Sequence, residues 1–520
     1  MKLETRQIKT ALATLAAIIL ALCAANAAAS TDDAWEALLR KYDVSAEATP
    51  PDEAAVISDD EALRRGDWSA LARKYENGYA GGETSPSSPL PVDALADWWN
   101  TFGDATLGDL IAEALINNRD LRAARAKVLE ARAALGISKS ASLPQLDSSA
   151  SWASSKSSEH SAGQGVRTEI TKLGLDASWE IDIFGGKKLS DEAAEADLES
   201  SHAALHSAWV TLSSEVAVNY MSLRTLQERL RIAGLNLRLQ EETLSMISSL
   251  YETGLIDSLA LNQSKYTVET TRASIPTLKS NVEAVMNALA ILSGRTPGSL
   301  ESSLSPPRPL PKPDATLVGI PADAVRQRPD IRTAERALAA QISRKKSAER
   351  DRYPRFYLAG SIGLETLSGG SIFSGDSFGF SFGPRITLPL FHGGAIRKNI
   401  AVQSAREEQL LASYEGVVLK AVAEVRDALS ANYQEIERNK SLRAGIDAAR
   451  QAYEAAADRY KNGLTDFSNV ISAEAALLSL EDQLAVSEGQ IASGMVRVFK
   501  ALGGGWAPLA GESAAGVPQR

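Results

Sequence analysis

Between Lys187 and Tyr251 apolar residues return in alternating steps of three and four: Leu205, Trp209, Leu212, Val216, Leu223, Leu226, Leu230, Ala233, Leu237, Leu244, Ile247 and Tyr251, with Asn219 and Gln240 as polar members. Such a spacing is the seam of a coiled coil. No proline interrupts Lys187 to Glu252, and about 66 residues at 1.5 Å each predict a rod of about 100 Å. A second seam runs through Tyr414, Val418, Ala421, Val425 and Ala428, turns polar at Asn432, Glu435 and Asn439, and resumes at Leu442, Ile446, Ala449, Tyr453, Ala456 and Tyr460. Each rod ends in Tyr-x-x-Gly, at Tyr251 to Gly254 and Tyr460 to Gly463. Glycine suits the left-handed residue that ends a helix, so two long helical hairpins with exposed tips are predicted. A compact bundle would share these seams but not rods of this length.

Between the helices the period drops to two. Leu173, Leu175, Ala177, Trp179, Ile181 and Ile183 alternate with Gly174, Asp176, Ser178, Glu180 and Asp182. Phe356, Leu358, Ile362 and Leu364 alternate with polar neighbours, as do Phe378, Phe380, Phe382, Ile386, Leu388 and Leu390. A fourth, weaker strand is expected around Ala150 and Trp152. Ribbons that are apolar on one side and polar on the other fit tilted transmembrane strands, although read alone they also fit a soluble sandwich. Four strands in lipid would leave edge N–H and C=O groups unpaired at several kcal/mol each. They cannot close a pore, so several copies are expected to pool them into one barrel.

Residues after about 105 overlay on those after about 315, with a shift near 209, the interval from Gly254 to Gly463. Asp120-Leu121-Arg122 recurs as Asp330-Ile331-Arg332, Pro144 as Pro354, Phe184 with Gly186 as Phe391 with Gly393, and Gly294 as Gly503. The chain therefore reads as a duplication, residues 97–305 and 315–504, each half running helix, two strands, very long helix, turn, long helix. Residues 306–314, with Pro306, Pro307, Pro309, Pro311 and Pro313, form a stiff connector.

Composition narrows the class. A mean hydropathy of -0.14 is too polar for a bundle of membrane helices, and a net charge of -10 argues against a nucleic-acid partner. Lys2, Arg6 and Lys9, an apolar run from Ala11 to Leu22 and the small residues that follow read as an export signal over residues 1–29. Two cleavage readings stay open: an ordinary site at Ala25 to Ala29, or an imperfect lipoprotein box ending at Cys23, whose thiol would then be lipidated. Cys23 is the only cysteine, so no intrachain disulfide can form. Residues 30–96 are read as a charged periplasmic extension and 505–520 as a flexible tail. His202 and His206 alone share a helix face at metal-ligand spacing, too few for a metal site. No catalytic constellation is present, and neither enzymatic activity nor a cofactor is expected.

Trp98-Trp99 with Phe102 and Asp104, Ala114-Leu115-x-Asn117-Asn118-x-Asp120-Leu121, Trp179 to Gly185, Arg326-Gln327-Arg328-Pro329-Asp330-Ile331-Arg332, Leu388-Pro389-Leu390-Phe391-x-Gly393-Gly394 and both Tyr-x-x-Gly turns resemble the TolC/OprM-like outer-membrane factors, often called NodT-type efflux proteins. The resemblance covers about four fifths of the chain. It implies an α+β membrane protein and a homotrimer with four strands per chain, making a twelve-stranded barrel continued by an α-helical periplasmic tunnel. On this reading Leu173, Leu175, Trp179, Ile181, Phe378, Phe380, Phe382 and Leu388 face lipid. The partners implied are outer-membrane lipid, a periplasmic adaptor meeting the tips at Gly254, Leu255, Gly463 and Leu464, and an inner-membrane transporter of the RND type.

The resemblance also places an aperture at Asp466, Ser468, Asn469 and Ser472. Here the chain departs from the family pattern, because Asn469 and Ser472 stand where better-known members carry aspartates and Ser468 where some carry leucine. A more weakly cation-selective mouth is expected. The function implied is the exit duct of a tripartite efflux system, with type I secretion or heavy-metal efflux ducts as alternatives. A non-conducting periplasmic coiled-coil scaffold would explain the heptads but not the strands.

Overall fold

The computed structural model describes residues 97–160, 165–312, 327–367, 370 and 372–505. The chain divides into two units, Met1–Ala70 and Leu71–Arg520, and every described residue belongs to the second. The expectations for the export signal, Cys23, the extension 30–96, the start of the second half before residue 327 and the tail after Gly505 lie outside the described residues.

After a 3-10 turn at Trp98–Phe102 come α1 (Ala105–Asn117), α2 (Arg119–Ser140), β1 (Gln145–Lys156), β2 (Arg167–Ile181), α3 (Gly186–Glu252), α4 (Ser258–Leu292) and the short α5 (Glu301–Leu304). Next are α6 (Pro329–Arg350), β3 (Arg355–Leu367), β4 (Phe378–Thr387), α7 (Ala395–Lys461) and α8 (Phe467–Ala501). These matching helices have equal lengths: 22 residues in α2 and α6, 67 in α3 and α7, and 35 in α4 and α8. The leading helix of the first half is broken in two at Asn118, whose side chain accepts from Leu121 N at 2.9 Å and so starts a new helix. At the sheet-to-rod junctions the left-handed N-caps are Gly185 and Gly394. These two glycines, 209 apart, correspond to each other, rather than the pair Gly186 and Gly393 suggested by the sequence overlay.

The sheet is antiparallel in the order β1-β2-β3-β4, which leaves β1 and β4 at its margins. Two boundaries differ from expectation. β2 stops at Ile181, so Ile183 lies beyond it. β4 stops at Thr387, so Leu388 is not a strand residue; Pro389 has no N–H to offer a ladder, and the alternation running on to Leu390 continues the apolar pattern without the pairing. β1 is longer than its apolar content suggested because its inward and outward positions are mostly serine and alanine.

The hydrophobic core gathers where both halves meet. Trp98, Phe102, Leu107 and Ile111 pack with Trp209, Tyr220 and Leu223 of α3, Leu289 of α4 and Val496 and Phe499 of α8. Trp98 stacks on Phe499 with ring centroids 5.3 Å apart and planes 16° apart; burying such an aromatic is worth roughly 3 kcal/mol or more. From this girdle the helices continue toward the tips as laterally packed rods, α4 beside α3, α3 beside α8, and α8 beside α7.

Candidate functional site

The register sorts the sheet into two chemically distinct faces. Leu175 pairs with Ile362, which pairs with Phe380, and Leu173, Leu364 and Phe378 form the next apolar row. Ala177, Gly360 and Phe382 lie between them and Ile181, Phe356 and Ile386. Every sequence-predicted lipid-facing residue that lies in a strand falls on this face, and Leu173, Leu175, Ile181, Phe378, Phe380 and Phe382 are exposed. Trp179 is half-buried, and its indole N–H donates to Ser142 O at 2.9 Å, an amphipathic placement suited to the edge of an apolar band. Near it Phe184 stacks on Tyr353 at 4.9 Å.

The opposite face is polar. Asp147, Asp176, Ser361 and Ser381 stand in one row, with the two serine hydroxyls 2.8 Å apart. Two rows away, past Gly174 and Gly363, Lys172 pairs with Glu365 at 3.0 Å, and the Arg385 guanidinium lies over the Tyr357 ring at 5.1 Å. Among the described residues, no helix is long and apolar enough to cross a membrane; the sheet is the element with a membrane-compatible surface.

At the far end both rods turn alike. Gly254 and Gly463 have φ of 73° and 69°, and Leu255 N and Leu464 N reach back to Leu250 O and Arg459 O at 2.9 and 2.8 Å. These bonds satisfy the last carbonyls of each rod and leave Leu255 and Leu464 about 70% exposed. Inside the tips Ile247, Ala260, Phe467 and Val470 make a small apolar cluster joining the two hairpins, with Tyr460 against Phe467 at 5.1 Å. The outward stripe of α8 carries the remaining predicted residues: Asp466, Asn469 and Ser472 are exposed and Ser468 is half-buried. Asn469 Nδ2 donates to Thr465 Oγ1 at 2.6 Å and Ser472 Oγ to Ser468 O at 2.8 Å. Asp257 spends its carboxylate capping α4, at 3.1 and 3.2 Å from Leu259 N and Ala260 N. Its counterpart Asp466 makes no side-chain cap bond to α8, so its charge is left to solvent.

The arginine-proline-aspartate motif is an anchor. Arg328 is buried; it donates to Ala501 O at 2.7 Å, forks onto Asp330 at 3.0 and 2.6 Å, and reaches Glu424 at 2.8 Å. Burial opposes ionisation of Asp330, but the Arg328 hydrogen bonds and charge outweigh it and hold the carboxyl below its usual value. A second anchor ties the connector to α3: Arg224, fully buried, donates to Pro306 O at 3.1 Å and to Tyr220 Oη at 3.1 Å, while Gln227 donates to Leu304 O at 2.7 Å. Tyr220 in turn donates to Asp104 at 2.5 Å, and burial, then this bond, raises its pKa.

The outer membrane efflux protein family matches residues 110–295 and again residues 320–504. The chain belongs to that family. Nodulation protein T of Rhizobium leguminosarum bv. viciae is 31% identical over 435 residues, 81% of this chain and 89% of its own. The toluene efflux pump outer membrane protein TtgF of Pseudomonas putida is 32% identical over 418 residues, 80% of this chain and 86% of its own. The solved outer-membrane channel OprN superposes with a TM-score of 0.77 at 34% identity, covering 89% of this chain and 99% of that one. As a member of this family the chain is an outer-membrane channel, the exit duct of a tripartite efflux system, with its helical part in the periplasm. Its fold is α+β, with four strands per chain given to a trimeric barrel of twelve and with helical hairpins forming the tunnel.

The efflux-protein motifs were legible as residues but not as roles. Arg328 stands inside the arginine-proline-aspartate motif, yet nothing in its spacing names Ala501 as its partner 173 positions on. Arg224 left no signal beyond a basic residue beside the apolar seam.

Proposed function

We propose that this efflux channel is a passive conduit for small molecules passed on by an RND-type transporter through an adaptor that meets the tips at Gly254, Leu255, Gly463 and Leu464, and that it performs no reaction of its own. Heavy-metal efflux and type I secretion are rival cargoes for the same duct; TtgF, whose name specifies toluene, supports the small-molecule reading. The observation that carries the conduit is the four-stranded sheet with one apolar and one polar face and two open margins. In hydrocarbon each margin must find a partner strand, so the polar rows of three chains come to surround one water-filled lumen while Leu173, Leu175, Trp179, Ile181, Phe378, Phe380 and Phe382 meet lipid.

The narrow mouth is assigned to Asp466, Ser468, Asn469 and Ser472. Its one uncapped acid per chain gives a three-fold ring of charge with amide and hydroxyl rings behind it, favouring cations weakly. Reversal potentials of the purified channel in a planar bilayer under a tenfold salt gradient test this. A modest cation preference that disappears in Asp466→Asn is expected. Strong cation selectivity untouched by that change would overturn the assignment, and absence of any conductance would overturn the conduit.

A further inference from the structure

The two hairpins of one chain meet along a seam between α3 and α8, and its rungs differ in kind. At the tip the rung is apolar, Ile247 with Phe467 and Val470. Higher up, Arg229 grips Asp482 through two bonds of 2.7 and 3.0 Å. Higher still, Thr225 meets Gly489 so closely that a Cβ on the glycine would lie 2.0 Å from Thr225 Oγ1. Between tip and ion pair, two turns into α8, stands Gln240 of α3, only 3% exposed, opposite Glu474 of α8.

Gln240 is the unusual member. Its amide is within hydrogen-bonding reach of the Glu474 carboxyl, yet neither Nε2 nor Oε1 makes a hydrogen bond of full geometry. A buried donor and a buried acceptor left open are each destabilising, because neither regains the hydrogen bond it gave up to water. The facing carboxyl can close both only in one state. Ionised, it is acceptor-only and satisfies Nε2 alone; protonated, its carbonyl accepts from Nε2 while its O–H donates to Oε1.

The surroundings leave that choice to the proton. No charged residue stands one turn above or below Glu474 on α8, or one turn from Gln240 on α3. From α7 the facing group is Tyr453, half-buried, its pKa raised by burial and then by the Glu474 charge. Arg450, one turn before Tyr453, is engaged by Glu481 at 3.3 Å. On α4, Lys265 and Glu269 are exposed, and Glu269 is paired with Arg272. Burial accordingly raises the Glu474 pKa, the Gln240 contact lowering it less.

We propose that Gln240 and Glu474 form a proton-dependent rung that sets how readily the two hairpins part at the tunnel mouth. The sign follows from the raised pKa in the closed seam: closure is favoured in full below the ordinary carboxylate range and weakens as pH climbs through the raised value. Acid therefore holds the tips together, and ionisation of Glu474 as pH rises loosens them. Repeat symmetry makes the device one-sided, because the counterparts of Gln240 and Glu474 are Ala449 and Lys265. That this seam borders the narrow mouth rests on the aperture assignment above.

The test places spin labels on Leu255→Cys and Leu464→Cys, in a Cys23→Ser background, of the full channel in detergent, and measures their distances at about pH 5 and pH 7.5. The expected result is a short, narrow distribution in acid and a longer, broader one at neutral pH. Glu474→Gln, whose amide can satisfy both atoms of Gln240 at any pH, should give the short distribution throughout, and Glu474→Ala the long one throughout. Identical wild-type distributions at both pH values, or a Glu474→Gln channel that still shifts, would overturn the rung. Single-channel current over the same range separates the two readings: distances that shift while current does not would leave the rung standing and sink the aperture assignment.

Discussion

The two halves of this efflux channel share the lengths of their three long helices to the residue but are locked by different chemistry. In the first half the N-cap Asn118 closes α2 and donates across to Leu292 O, the last residue of α4, at 3.0 Å. In the second half the equivalent N-cap, Arg328, does the same for Ala501 O of α8 but adds two carboxylates, Asp330 and Glu424. Between the long helices the difference continues. The upper part of α3 is buried through Tyr220, Met221 and Leu223, whereas α7 buries Asn432 and Asn439 against α8, with Asn439 donating to Ser487 at 3.2 Å. Gly494 allows this close approach, since a Cβ there would lie 2.6 Å from Asn432 Oδ1, while Gly489 lets α8 come up to Thr225 of α3. Their first-half counterparts are Ser280 and Val285. Duplication thus preserved the rods while one copy became the apolar wall and the other a polar, closely approached one.

Three substitutions and one matched control sharpen this contrast. Arg328→Ala should have the largest effect: it strands Asp330, Glu424 and the Ala501 carbonyl, and because both carboxylates are partly exposed a loss of about 2–3 kcal/mol is expected, read as a lower denaturation midpoint. The same anchor carries a pH signature. Since the Asp330 pKa is depressed in the folded channel, its contribution is present above the ordinary carboxylate value and is lost as pH falls through the depressed one; Arg328→Ala should flatten the acid limb of the stability profile. Gly489→Ala comes next, forcing α8 off Thr225 at a cost of roughly 1–3 kcal/mol, while Ser280→Ala at the matching first-half position should be nearly silent. Asn118→Ala should be the mildest, about 1 kcal/mol for a cap and one cross-helix bond. If Asn118→Ala proved as damaging as Arg328→Ala, the halves would be locked equally and the contrast would fail.

How much was legible in advance follows the same division. Alternating steps of three and four named the rods, and Tyr-x-x-Gly located both tips, because periodicity and a left-handed glycine are local properties. Period-two runs located β2, β3 and β4, but β1 is read weakly from Ala150 and Trp152 since its small residues carry little pattern. The end of β4 was misplaced because Leu388 and Leu390 keep the apolar rhythm after Pro389 has broken the ladder. What local pattern could not show is which distant group completes a polar residue. Asn432 and Asn439 looked like a gap in the seam and are instead buried against serine and glycine of α8. Arg224 and Arg328 find their acceptors about 80 and 170 positions away. At the tips, the difference between a capping Asp257 and an uncapped Asp466 is a matter of side-chain geometry, which no local pattern carries.

The shared pore remains the claim on which the rest stands, and the native mass of the purified channel in mild detergent tests it most directly. A single species of three chains, persisting on dilution, is the expected result. A population of single chains that keeps its β-sheet content would show that β1 and β4 need no neighbouring copy, and would contradict the account.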